Sequence, residues 1–180
     1  MKEKTISLLK VNLLLIPFAC FVIGCVLALY YLVFGSLDII AEKFNVYIAG
    51  VLFLVFICVH ELIHGIYYAK YAKGGFRSIR FGIMWRGLAP YCNCLELIRV
   101  QQFRIAILMP TVILGFIPLI IGFILRETNV IFFSTAFIIA GLGDFIYLWM
   151  LRDFNKEVMV MDHPKKAGFV YHEDQQTTNI

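Results

Sequence analysis

Hydrophobic positions along the chain fall into four long runs, at residues 11–34, 47–69, 103–125 and 130–151, with a polar tail over 152–180. At about 1.5 Å of rise per residue, each run as a helix matches the roughly 30 Å hydrocarbon core of a bilayer. The first run follows a basic stretch, as a secretory signal would. It is too long for one, however, and it ends in Tyr30, Tyr31, Leu32, Val33 and Phe34 rather than in small residues, so it reads as a retained span. The third run carries Pro110 and Pro118, which predict a kinked helix whose freed carbonyls are satisfied by neighbours.

Between the second and third runs the period changes. Ile79, Phe81, Ile83 and Trp85 alternate with Arg80, Gly82, Met84 and Arg86, the two-residue repeat of a half-buried strand. Residues 88–97 offer a return strand after a turn at Arg86-Gly87, with Pro90 confining it to an edge or a break. The short connection at residues 35–46, holding Asp38, Glu42 and Lys43, and the one at 126–129 join the remaining runs.

Composition settles the class. Hydrophobic residues make up 61% of the chain and charged residues 16%, against roughly a quarter charged in soluble domains. The net charge of +4 raises the question of nucleic acid, and membrane topology answers it. Lys2, Lys4, Lys10, the seven basic residues from Lys70 to Arg104, and Arg152, Lys156, Lys165 and Lys166 fall on one side of a four-span arrangement; only Lys43 and Arg126 fall on the other. The basic excess is that of a cytoplasmic face, so no nucleic-acid partner is invoked. The expected fold is therefore an all-α integral membrane protein, a single domain over 1–180. It is a bundle of about four transmembrane helices in a cell membrane, with both termini cytoplasmic and a cytoplasmic-side β-hairpin-like loop between helices 2 and 3.

The five cysteines, at 20, 25, 58, 92 and 94, are odd in number and show no disulfide framework. Cys92-Asn93-Cys94 has the donors of a soft-metal site, and equally the look of small, tolerated residues.

The candidate chemistry lies near the end of the second run, in His60-Glu61-Leu62-Ile63-His64. On a helix, this spacing puts two imidazoles one turn apart on one face, where both reach a single Zn²⁺, with a glutamate beside them as general base. Ionisable groups are costly in such a setting and are usually functional. His60 lies about 13 Å from the cytoplasmic end of its run and Asp144 about 12 Å from the same face in the fourth, so Asp144 is the candidate third ligand. Two histidines and one carboxylate leave a tetrahedral position open, as in catalytic zinc sites. Glu96, the nearest loop acid, is a poorer base than Glu61 by position. Gly141 and Gly143 serve either close helix packing or the shape of the site. Two other readings of the same residues stay open. One is a hydrogen-bonded cluster knitting helices together. The other is a non-catalytic metal-binding protein or metal or proton transporter, although the outer halves of the runs are apolar.

His60-Glu61-Leu62-Ile63-His64 in one span, Gly143-Asp144 in a later one and a polar, strand-like loop between them resemble the site-2 protease family of intramembrane zinc metalloproteases. More closely, Pro90-Tyr91-Cys92-Asn93-Cys94-Leu95-Glu96-Leu97, Leu108-Met109-Pro110, and Gly143-Asp144 ahead of Asp162-His163-Pro164 resemble a family of small bacterial membrane proteins described as zincin peptidases, over about residues 50–170. The resemblance implies Zn²⁺ held by His60, His64 and Asp144, Glu61 as catalytic base, and a membrane protein or peptide as substrate. It also implies that the hairpin holds an unwound substrate segment, with Asn93 or another loop amide steadying the oxyanion. The chain departs from the site-2 pattern in having Gly143 before and Phe145 after the aspartate, and from the smaller family in having Asn93 where a histidine is expected between the loop cysteines.

The charge distribution makes a topological prediction. A thiol introduced by Arg80→Cys should be labelled by a membrane-impermeant reagent only from the cytoplasmic side. External labelling would reverse the orientation.

Overall fold

The computed structural model describes residues 1–37, 46–84, 89–164 and 166–172. Helix α1 (Leu8–Phe34) begins where the Ser7 hydroxyl accepts the Lys10 N–H and ends where the Gly35 N–H closes on the Tyr31 carbonyl. Beyond Asn12 it is apolar on every side, with Ile16 and Leu32 71% and 80% exposed, the surface of a helix suited to lipid. Helix α2 (Val46–Tyr71) is apolar all round apart from the His/Glu motif and its basic end at Lys70. The third run is one apolar rod, built from α3 (Val100–Thr111), a π-helical turn over Val112–Phe116 and α4 (Ile117–Leu125). The wide turn lies between Pro110 and Pro118, where the missing proline N–H groups interrupt the regular ladder.

The fourth run differs from the unbroken helix expected. It folds as α5 (Thr128–Ala140) and α6 (Leu142–Leu151), bent by 44° at Gly141. A Cβ on Gly141 would stand 2.4 Å from Thr111 Oγ1, so α3 and the break approach more closely than any other residue would allow. Three helical stretches, Leu9–Phe34, Gly50–Tyr71 and Val100–Leu125, are long and apolar enough to cross a membrane, and the bent pair makes a fourth if counted as one span.

The all-α expectation is corrected by two antiparallel sheets. The predicted hairpin is present as β2 (Ile79–Met84) and β3 (Ala89–Cys94), with Ile79 opposite Cys94 and Ile83 opposite Pro90. The turn at Arg86-Gly87, Trp85 and the connection through Asp38, Glu42 and Lys43 lie outside the described residues. The second sheet replaces much of the supposed polar tail. It runs in the order β1 (Lys2–Thr5), β6 (Gly168–Tyr171), β5 (Met159–Asp162), β4 (Ile98–Arg99). Lys2 stands opposite Tyr171, and Thr5 opposite Gly168. At Gly168, with φ of 144°, a Cβ would meet the Lys4 carbonyl oxygen at 2.2 Å, so the β1–β6 approach requires glycine there. Because β1 precedes the first helix and β6 follows the last, their pairing demands an even number of crossings between them. If the three long helices each cross, the bent α5–α6 pair must be the fourth.

The tightest packing is at the junction of helices and sheet. Val100, Phe103, Leu151, Val158, Val160 and Phe169 are fully buried there, with Tyr68 and Phe154 against them. Arg104 sends one guanidinium nitrogen to the carbonyls of Leu151 and Phe154, and the Lys4 ammonium donates to the Met150 carbonyl at 2.7 Å. Both cations thus satisfy the orphan carbonyls and the negative dipole end of α6. Removing the guanidinium in Arg104→Met should leave these acceptors unpaired at a cost of about 1–3 kcal/mol, read as a lower thermal midpoint in detergent, with Arg104→Lys intermediate. An unchanged midpoint would mean that water satisfies the end of α6.

Candidate metal centre

His60 and His64 sit one turn apart on α2 with ring centroids 4.9 Å apart. Asp144, in the first turn of α6, reaches both. Its Oδ2 stands 3.2 Å from His60 Nε2 and its Oδ1 3.3 Å from His64 Nε2. The break at Gly141 lets the chain begin a new helix here, bringing this carboxylate to the imidazoles. Gly143, with nothing within 4 Å of where a Cβ would sit, leaves the space beside Asp144 open. So Gly141 serves packing and Gly143 the site.

The donor set fits a metal ion on its own geometry. His64 Nδ1 donates to the Ala106 carbonyl at 2.9 Å, which leaves the Nε2 lone pair facing the carboxylate. Asp144 Oδ2 is buried without a well-aligned hydrogen bond, although His60 Nε2 is adjacent. Lone pairs crowded together in an apolar surround repel unless a proton or a metal ion lies between them, and three donors converging on one point suit a metal ion. For metal–ligand bonds of about 2.0–2.1 Å, tetrahedral geometry spaces neighbouring donors roughly 3.3 Å apart, close to the spacings seen. Among the described residues, His60, His64 and Asp144 form the one group of three or more such donors.

Glu61 lines the same cavity, which has a volume of about 700 Å³. The Cys92 backbone N–H of β3 is directed at its carboxylate. Asn93 also lines the cavity, while His163, Pro164 and Lys166 form part of the wall contributed by the chain after β5. Glu96 is elsewhere. Its carboxylate accepts the Lys73 and Gly74 N–H groups and the Ser78 hydroxyl, capping the turn after α2, and the Ser78 hydroxyl foremost holds its pKa below the usual carboxylate value. Cys92 and Cys94 are free, buried thiols, and burial pushes Cys94 up to about 11. They are protonated at neutral pH and are poor candidates for a soft-metal pair.

One cavity residue was not foreseen. Asp162, at the end of β5, is 4% exposed and accepts the Cys94 N–H at 2.8 Å. Burial pushes its carboxyl up to about 7, opposed first by that N–H and then by His64. The alternation of Val158, Val160 and Asp162 was the signal that could have placed it on an inward strand face.

With this geometry in view, comparison with known families becomes informative. Residues 53–159 match the model of the family described as "Putative zincin peptidase". The chain belongs to that family. The matched stretch contains most of α2 with its motif, the hairpin, Asp144 and the first residue of β5, so membership speaks for a zinc metallopeptidase. No curated protein and no solved structure matches the chain significantly.

The ligand assignment is testable at its remotest member. Asp144→Ala should weaken zinc binding by more than the roughly 10–100-fold that loss of a supporting group would give, and Asp144→His, which offers a nitrogen, should restore part of it. Full zinc content in Asp144→Ala under a competing chelator would remove α6 from the site.

Proposed function

We propose that this chain is a zinc-dependent intramembrane peptidase of site-2 protease type, hydrolysing peptide bonds of membrane-associated substrates near the cytoplasmic face. The observation that carries the reading is the meeting of His60, His64 and Asp144 in a cavity shared with Glu61, on helices otherwise apolar enough for lipid. His60, His64 and Asp144 would hold the ion. When bound, zinc supplies Lewis acidity, polarising the scissile carbonyl and making water acidic near neutral pH. The rest falls to the chain's own groups. Glu61 takes a proton from the attacking water as its oxygen joins the carbonyl carbon, and returns that proton to the departing amine as the C–N bond breaks. The Ala106 carbonyl keeps His64 in the tautomer that presents Nε2. Asn93 is the side-chain amide on the cavity wall with the chemistry to donate to an oxyanion.

Substrate handling by the hairpin takes a restricted form. The Leu95 N–H bonds to Ser78 on the β2 side, so strand alternation turns residues 90, 92 and 94 to the outer edge of β3. Pro90 has no N–H, and those of Cys92 and Cys94 are directed at Glu61 and Asp162. An extended substrate on this edge would meet carbonyl acceptors alone, a narrower version of strand addition than the sequence suggested.

A conduit for metal or protons is less well supported, because the outer halves of the spans are apolar and offer no charged groups to continue a path beyond the histidines. The deciding experiment is Glu61→Gln, nearly isosteric and unable to accept a proton. It should keep zinc and the thermal midpoint and lose hydrolysis by about 10²–10⁴-fold. Near-native turnover in this variant would place the base elsewhere.

A further inference from the structure

Strand β3 walls the metal centre, yet the groups that hold its outer edge come from outside its own sheet. Of its outward N–H groups, Cys94 donates to Asp162 Oδ2 at 2.8 Å, and two residues earlier Cys92 turns its N–H toward the base Glu61 in the cavity that both line. Asp162 lines the same cavity but stands outside the ligand group. Its own position is firmly set. β5 pairs with β6 on one side and with β4 on the other, and β4 follows β3 after a short link, so β5 governs both ends of that connection.

Resting on the peptidase reading, we propose that Asp162 is a positioning residue for the catalytic base: its carboxylate locks β3 in the register that holds the Cys92 N–H against Glu61. Side-chain and N–H directions alternate along a strand, so a slip of one residue would turn both N–H groups away from their carboxylates. A buried carboxyl group is costly to place in a wall unless a hydrogen bond is required of it. Asp162 thereby connects the second sheet, through one hydrogen bond and two residues of strand, to the group that moves the proton. The base is borne by a membrane helix, while its orientation is governed from a sheet formed by the two ends of the chain.

The test uses the full chain in detergent micelles and compares Asp162→Ala with Asp162→Asn, whose amide oxygen still accepts the Cys94 N–H. The probe is a quenched-fluorescent peptide carrying one transmembrane segment. Asp162→Ala should keep its zinc and its KM while kcat falls about 100-fold, the scale of a misplaced catalytic group. Asp162→Asn should recover most of that loss. Amide hydrogen exchange at both Cys94 and Cys92 should quicken in Asp162→Ala and stay slow in Asp162→Asn. A native kcat in Asp162→Ala, zinc lost together with kcat, or Asp162→Asn as impaired as Asp162→Ala would each overturn the proposal. If even the native chain leaves the peptide intact, the peptidase reading fails separately. Exchange then decides alone: quickening at Cys92 and Cys94 in Asp162→Ala supports the lock, and unchanged exchange overturns it.

Discussion

Two imidazole nitrogens, one 3.2 Å and the other 3.3 Å from the oxygens of a single carboxylate in a largely apolar surround, form the contact on which the architecture turns. Ionisable groups are costly in such a surround, so the scaffold must hold them from several directions. α2 supplies the histidines on one face. The bend at Gly141 restarts a helix close to them, and the fit of that bend against Thr111 sets where Asp144 begins. The Ala106 carbonyl orients His64 from a third element. A local requirement for convergence thus accounts for a break in one helix and a close crossing by another.

Helices in lipid gain little from burying apolar surface against each other, since lipid is as apolar as leucine. α1 shows this directly, touching its neighbours through aromatic pairs such as Phe18–Phe145 and Phe34–Phe123 while most of its surface stays bare. Order comes from the polar end. There a true core of Val100, Phe103, Leu151, Val158, Val160 and Phe169 excludes solvent, and Arg104 and Lys4 complete the end of α6. The helices that carry the candidate metal ligands are tied at that end by this core and these cations.

Long-range periodicity made the helices readable, and Ile79, Phe81 and Ile83 made the first strand of the hairpin readable. Matching depths in two spans sufficed to pair Asp144 with the histidines, because rise per residue is nearly invariant in a helix. The bend at Gly141 was not legible, since it depends on the contact with Thr111, thirty positions away in another helix. The sheet of the two chain ends was missed for a similar reason. Lys2–Thr5 is too short and too polar to declare a period, and the brief alternation through Val158, Val160 and Asp162 names no partner, so the pairing of these strands is visible only in three dimensions. Asp162 went with them. In the sequence it belongs to a short motif with no assigned role; on β5 it faces the cavity.

The partnership of β1 with β6 also orders events in time. β1 leaves the ribosome before the first helix, whereas β6 is made only after every span has been synthesised. The sheet therefore cannot close until the last helix has been delivered, and Asp162 cannot meet Cys94 before then. A nascent chain already carrying the complete histidine motif lacks its carboxylate partner, and later still lacks the wall that orients its glutamate. The three metal-ligand candidates and the wall of their cavity are therefore assembled together only once β6 has been made.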